Sequence, residues 1–380
     1  MRNIAIVHDW LTNMGGAERL IINFKEIYPN APIYTSLYND EKLDRELRNI
    51  DVRTSFLQKI KNANKSHQKY FPLMPMAFEE FDLNQYDIVL SSSTSCAKGV
   101  ITNPNSMHVC YCNSPMRYGW EFYYEYANDS KMNKLKKKML KYVMNYMRVW
   151  DVISANRVDY FIANSENVAK RIWKHYRRES VVIHPAVRCS LFNTSEIDEN
   201  YFFIVSRLVP YKRIDLAIEA FNELGLPLVI VGDGPERERL ECMSKDNIKF
   251  LGRQSDEVIK EHYSKCRAFI FPGEEDFGIT PLEAQASGRP VIAYGKGGAL
   301  ETVIDGKTGI FFEEQTKESL INAIRKFEKT NFNKVDIRNH SLKFDEEIFK
   351  EKIKNFIESK YKEFNSRKPW QLGAIDYDNI

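Results

Sequence analysis

Short apolar runs alternate with amphipathic helical patterns along most of this chain, and that alternation narrows the fold to one class. Strand-like runs stand at 3–8, 32–37, 86–91, 107–112, 159–163 and 181–184, then at 201–205, 228–231, 247–251, 268–271 and 291–294. Helical stretches such as 17–28 and 214–224 separate them. Strand and helix in repetition predict parallel sheets covered on both faces. At 380 residues the chain suits two domains. Residues 184–200, HPAVRCSLFNTSEIDEN, lose periodicity and read as the linker. Charge changes sign nearby: residues 1–194 hold 27 Lys/Arg against 19 Asp/Glu, a net +8, while 195–380 hold 28 against 33, a net −5. A basic first half suits a phosphate-bearing acceptor, an anionic bilayer or nucleic acid, and charge alone does not choose.

The stretch 273–290, GEEDFGITPLEAQASGRP, carries the chemistry. Thr280 as N-cap, Pro281 at the first helical position and Glu283 at the third spell a capping box, so a helix is expected from Thr280. An apolar run and the loop GEEDFG precede it. The order strand, loop, helix start favours an anion, because first-turn N–H groups and the helix dipole point there. Glu275 on the loop and Glu283 inside the helix would flank that anion. The plainer reading makes Glu283 a capping partner and Glu275 a solvated loop acid.

Other polar groups gather at strand ends. Gly15-Gly16 open a helix after the first strand, where backbone N–H groups can meet a diphosphate. Asn113, Ser114, Arg117 and Tyr118 follow the strand at 107–112, at the carboxyl end where open α/β sheets bind ligands. Arg207 and Lys212 leave the strand at 201–205 in the run SRLVPYK. Gly232 and Gly234 hint at a dinucleotide fingerprint, but Arg237 takes the third glycine's place. Arg253 ends the strand at 247–251. His8 and His108 lie on strands, where packing roles compete with chemical ones.

Glu275, Phe277, Gly278 and Glu283, followed by Ala284 and Gly288-Arg289-Pro290-Val291-Ile292-Ala293, resemble the signature of the family 4 retaining glycosyltransferases. The run from Arg207 to Lys212 is similar to a segment of the same family, and the resemblance covers nearly the whole chain. It implies a GT-B fold: two Rossmann-like doubly wound domains facing across a cleft. Residues 1–190 would form the acceptor-binding domain, 191–345 the nucleotide-sugar domain, and 346–380 a helix and tail returning to the first. It also implies roles. Arg207 and Lys212 would neutralise the donor diphosphate with the helix start at Gly278, Ile279 and Thr280, and Glu283 would hold the ribose. Glu275 would grip the sugar, with Phe277, Arg253, Gly15, Gly16, Asn113 and Arg117 also binding substrate. The family's usual histidine is replaced by Asn113, which can exchange hydrogen bonds but not take up a proton.

HDWL…GGAER with YCNSPMRYGW resembles bacterial surface-polysaccharide mannosyltransferases. The expectation is metal-independent, cofactor-free hexosyl transfer, mannose-type from a GDP-sugar, to a glycan or polyprenyl-linked hydroxyl. Alternatives are a UDP-sugar donor, a sugar-nucleotide epimerase, or a non-catalytic nucleotide-sugar or polyanion-binding protein. Nucleic acid is not expected.

Location follows from what the chain lacks. The first apolar run is too short for a signal peptide, and no segment approaches the ~20 apolar residues of a span. A cytoplasmic protein is expected, peripheral on the inner membrane face in one reading of residues 131–150. There Met132, Leu135, Met139, Tyr142 or Val143, and Tyr146 recur at helical spacing among Lys134, Lys136, Lys137, Lys138 and Lys141. One reading packs the apolar row into the core; the other lays the helix on anionic lipid. The six cysteines, without metal-site spacing, read as reduced packing residues. Asp376 and Asp378 in the tail read as chance rather than a metal site.

Overall fold

The computed structural model describes residues 2–65, 67–121, 123–124 and 133–366. The first unit runs to Ala163, takes in Val168–Ile183 and resumes at Lys350; the second comprises Asn164–Asn167 and His184–Phe349. The tail aspartates Asp376 and Asp378, like Met132, lie outside the described residues.

In the first unit the order is β1 (Ile4–His8), α1 (Gly16–Ile27), β2 (Ile33–Thr35), β3 (Val52–Thr54), α2 (Met74–Glu79), β4 (Ile88–Ser93), β5 (Met107–Cys112), α3 (Lys134–Ala155), β6 (Tyr160–Ala163), α4 (Glu166–Tyr176) and β7 (Ser180–Val182). The strands form one parallel sheet in the order β3-β2-β1-β4-β5-β6-β7. Its centre is covered on both faces, with β4 and β5 buried at every residue, as a sheet packed between helices requires. The strand β3 was not foreseen: VRT is three residues long and has no buried residue, so it carries no apolar pattern.

The second unit continues with β8 (Phe202–Val205), α5 (Ile214–Leu224), β9 (Leu228–Val231), α6 (Arg237–Met243), β10 (Ile248–Gly252), α7 (Asp256–Lys265), β11 (Ala268–Phe271), α8 (Ile279–Ala286), β12 (Val291–Tyr294), α9 (Ala299–Thr302), β13 (Gly309–Phe312), α10 (Lys317–Glu328), α11 (Lys334–Ser341) and α12 (Glu346–Ser366). Its sheet is also parallel, ordered β10-β9-β8-β11-β12-β13. In both sheets the order reverses beside the first strand, between β1 and β4 and between β8 and β11. Loops diverge at such a switch point and leave a crevice at the carboxyl edge.

Two readings are refined. The stretch read as a linker is packed: Val187, Cys189 and Phe192 join the core of the second unit, and the Val187 N–H donates to the Phe344 carbonyl at 2.9 Å. Its scattered polar residues hid three apolar anchors. In α3 the row Leu135, Met139, Tyr142 and Tyr146 is exposed, while Met144, Met147 and Trp150 face the core. The helix is apolar on two sides, and spacing alone did not say which side is covered. All six cysteines are unpaired thiols, five of them buried.

Candidate active site

The carboxyl ends of β8 and β11 build the site of the second unit. The Lys212 ammonium forms an ion pair with Glu275 Oε1. Each side chain keeps a minority of its surface in solvent, so the pair is screened on one side only. Gly273 allows the approach: a Cβ there would stand 3.0 Å from Lys212 Cα and from the Tyr211 carbonyl. The Tyr211 ring lies 5.5 Å below the ammonium, a cation–π contact. Arg207 stands exposed two residues past β8 and has no ion pair among the described residues.

Beyond the loop, α8 starts earlier than the capping-box reading expects. Its N-cap is Gly278, with φ +87°, and the helix begins at Ile279, so Thr280 and Pro281 fall at the second and third helical positions. Gly278 turns the chain in a left-handed conformation that Thr280 could not adopt as easily, and this sets the start. Gly278, Ile279 and Thr280 thus contribute the N–H groups of the first turn, and Pro281 has none to leave unpaired. Glu283 is 8% exposed and accepts a hydrogen bond from the Tyr263 hydroxyl at 3.0 Å.

Phe277, also buried, stacks on His184 with ring centroids 5.2 Å apart. His184 Nε2 lies 2.8 Å from Glu301 Oε2. The Gly298 N–H donates to the Glu275 carbonyl at 2.9 Å, and a Cβ at Gly298 would fall 2.2 Å from Phe277 Cα. The acid-bearing loop is therefore fixed from three distant parts of the chain. Sequence reasoning missed His184, Tyr263, Gly298 and Glu301. Only Gly297-Gly298, following a strand, left a signal.

Arg253 is not drawn into this group: it is 86% exposed, with Asp233 at 3.9 Å as its ionic neighbour. Gly232 and Gly234 serve packing. A Cβ at either would collide with the carbonyl of Ser206 or Leu208, at 1.8 and 2.2 Å.

The first unit has its own carboxyl edge. Gly15 caps α1 in extended conformation, Gly16 opens the helix, and the Glu18 carboxylate lies close to Gly15. His8 Nε2 is 3.7 Å from Glu18 Oε1. Asp9, at the end of β1, is buried and accepts five hydrogen bonds from the loop after β4: the N–H groups of Thr94, Ser95, Cys96 and Ala97, and the Thr94 hydroxyl. One buried carboxylate thus ties the switch point together. Asn113 follows β5 and donates to Ser92 Oγ at 3.0 Å; Arg117 is half-buried in the same loop. His108 is fully buried, bonded to Ser91 Oγ at 2.8 Å, and burial pushes its imidazolium pKa down to about 4. It is a neutral packing group, not a stand-in for an imidazole at Asn113.

Two parallel α/β sheets of this order define a GT-B fold. Residues 191–348 match the family model described as glycosyl transferases group 1. That match covers most of the second unit and supports a family 4-like glycosyltransferase. The alpha-1,3/1,6-mannosyltransferase ALG2 of Dictyostelium discoideum is 26% identical over 85% of this chain and 89% of its own length. A GDP-mannose-dependent alpha-(1-6)-phosphatidylinositol monomannoside mannosyltransferase of Mycobacterium tuberculosis is 33% identical over 37% of this chain and 41% of its own. This chain spans less than half the length of most of the curated relatives it matches. Among solved structures, HepE of Anabaena in complex with UDP superposes with a TM-score of 0.69, at 19% identity over 94% of this chain and 100% of that one. That likeness bears on the fold.

Proposed function

We propose that this protein transfers a hexosyl group from a nucleotide-diphosphate sugar to a hydroxyl of a glycan or lipid-linked acceptor, with retention at the anomeric carbon. The observation that carries this reading is the Lys212–Glu275 pair beside the open start of α8. Departure of a nucleoside diphosphate places negative charge on the β-phosphate. Fixed cations and N–H groups aimed at that charge lower the barrier without reorganising. Arg207, Lys212 and the N–H groups of Gly278, Ile279 and Thr280 take that role, and no metal or cofactor is called for. Lys212 must turn from Glu275 toward phosphate when donor binds, which leaves Glu275 to accept from the sugar hydroxyls.

Glu283, oriented by Tyr263, is assigned the ribose hydroxyls. Phe277 serves to shape the wall, and Arg253 is assigned the base. Gly15, Gly16, Asn113 and Arg117 on the first unit keep substrate-binding roles as part of the same proposal. In the transfer step the bond from the anomeric carbon to the phosphate oxygen breaks and its electron pair leaves with the diphosphate. The acceptor oxygen bonds the same face, and its proton passes to the departing phosphate.

A mannose-type GDP-sugar is the favoured donor, since a partial relative is named for GDP-mannose; a UDP donor is the second reading, since the similar HepE was solved with UDP. A role in surface-polysaccharide assembly, at the inner face of a membrane, completes the proposal. A thermal-shift panel of GDP- and UDP-sugars without added metal tests it, because the true donor stabilises the folded state by mass action. Stabilisation by one nucleotide series together with transfer to an acceptor supports the reading. Release of an epimerised sugar nucleotide with no acceptor overturns it.

A further inference from the structure

Helix α3 carries a second apolar face that no other element covers among the described residues. Leu135, Met139, Tyr142, Tyr146, Val149 and Ile153 are between 50% and 76% exposed. At 100° per residue their alternating spacing keeps all six within about 40° of one line along the helix, over a length of about 27 Å. Lys134, Lys138 and Lys141 run beside that line, about 60–120° round the helix on one side, and Lys136 lies on the other. All four are exposed. The one acid of the helix, Asp151, is fully buried and paired with Lys98, so no negative charge of the helix faces the lysines.

A row of apolar side chains flanked by lysines asks for a partner that is apolar within and anionic at its surface. A second copy of the helix would supply the apolar contact but would bring two lysine rows together with no acid between them. A bilayer with anionic headgroups supplies both, and Tyr142 and Tyr146 have the amphipathic rings favoured at headgroup level. We infer that α3 is a membrane-docking element that lies in the plane of an anionic lipid surface. Its exposed stripe sinks to the headgroup boundary and its lysines meet lipid phosphates. The inference rests on the proposed function for its purpose, access to a lipid-linked acceptor. Docking itself is measured without any sugar.

Flotation of the full chain with vesicles of phosphatidylcholine alone, or mixed equally with phosphatidylglycerol, tests it. The chain is expected to float with the mixed vesicles, to stay behind with phosphatidylcholine, and to be released by salt. The triple variant Lys134→Gln, Lys138→Gln, Lys141→Gln should lose on the order of a hundredfold in partition, roughly fivefold per lysine. The triple variant Leu135→Ser, Met139→Ser, Tyr146→Ser should lose at least about tenfold. Because every site is exposed, both variants should melt like the parent, and both should keep transfer to a water-soluble acceptor. Flotation without transfer in the parent chain would count against the enzymatic reading alone. Failure of the parent to float, equal flotation of the stripe variant, or a dimer that the stripe variant dissolves while the parent ignores vesicles would overturn the docking assignment.

Discussion

Lys212 and Glu275 meet across the ends of two neighbouring strands, 63 positions apart in sequence, and they hold each other in the place where a phosphate is expected. In the proposed reaction the acid holds the cation at these strand ends until the donor phosphate draws it away.

Replacing Glu275 by Gln keeps the size and removes the charge. Transfer should fall by roughly a hundredfold or more in kcat, the range seen when one group that stabilises a transition state is lost. The thermal midpoint should stay within a few degrees, since an ion pair open to solvent on one side contributes on the order of 1 kcal/mol. Steady-state kinetics and a melt on the same preparation check this, and full activity would sink the assignment of Glu275.

His184 supports the same loop from the start of the second unit. His184→Ala removes the ring against Phe277 and the partner of Glu301. The expected loss is about 1–2 kcal/mol of stability and a raised KM for the donor, with a smaller change in kcat. A conservative His184→Phe should restore the stack but not the Glu301 bond, so it should recover only part of both quantities.

Two glycines separate conformation from space. Gly225 ends α5 with φ +68° and has nothing within 4 Å of a Cβ. Gly225→Ala should cost about 1–2 kcal/mol, the strain of a left-handed residue alone. Gly298→Ala should cost several times as much, because its Cβ would overlap the Phe277 backbone. Urea unfolding of both variants gives the comparison, and equal costs would contradict the packing at Phe277.

Below neutral pH, His108 should weaken the first unit. Its pKa is about 4 when folded, against an ordinary value of 6.5, because burial disfavours the imidazolium. Between those values the unfolded chain binds a proton that the folded chain refuses, so stability falls as pH falls from 6.5. The full contribution is ~3 kcal/mol and is reached near pH 4. His108→Gln should flatten this slope relative to the parent, and identical pH profiles in thermal melts would refute the linkage.

The sequence was most legible where local chemistry decides structure. The expected helix 214–224 coincides with α5 because Gly225 terminates it, and the apolar strands are found within a residue or two of their expected places. Lys212 and Glu275 were also singled out from their loop positions, and the structure brings those two together. Legibility failed where a distant neighbour decides. Thr280 looks like a cap until Gly278 turns the chain two residues earlier. His184 acquires its importance from Phe277 and Glu301, which spacing cannot bring near it. In α3 two rows share helical spacing, and only the packing of Trp150 and Met147 shows which one is inward.

Helix α12 begins in the second unit, yet from Lys350 onward it belongs to the first, where Lys350 pairs with Glu26, Lys360 covers the Tyr160 ring and Arg2 lies over Tyr361. The ribosome therefore delivers the opening half of this molecule long before it delivers the piece that completes it. Nascent chains released early should expose the ground that α12 was meant to cover, and chaperones should find their substrate at the amino-terminal half rather than at the ragged end.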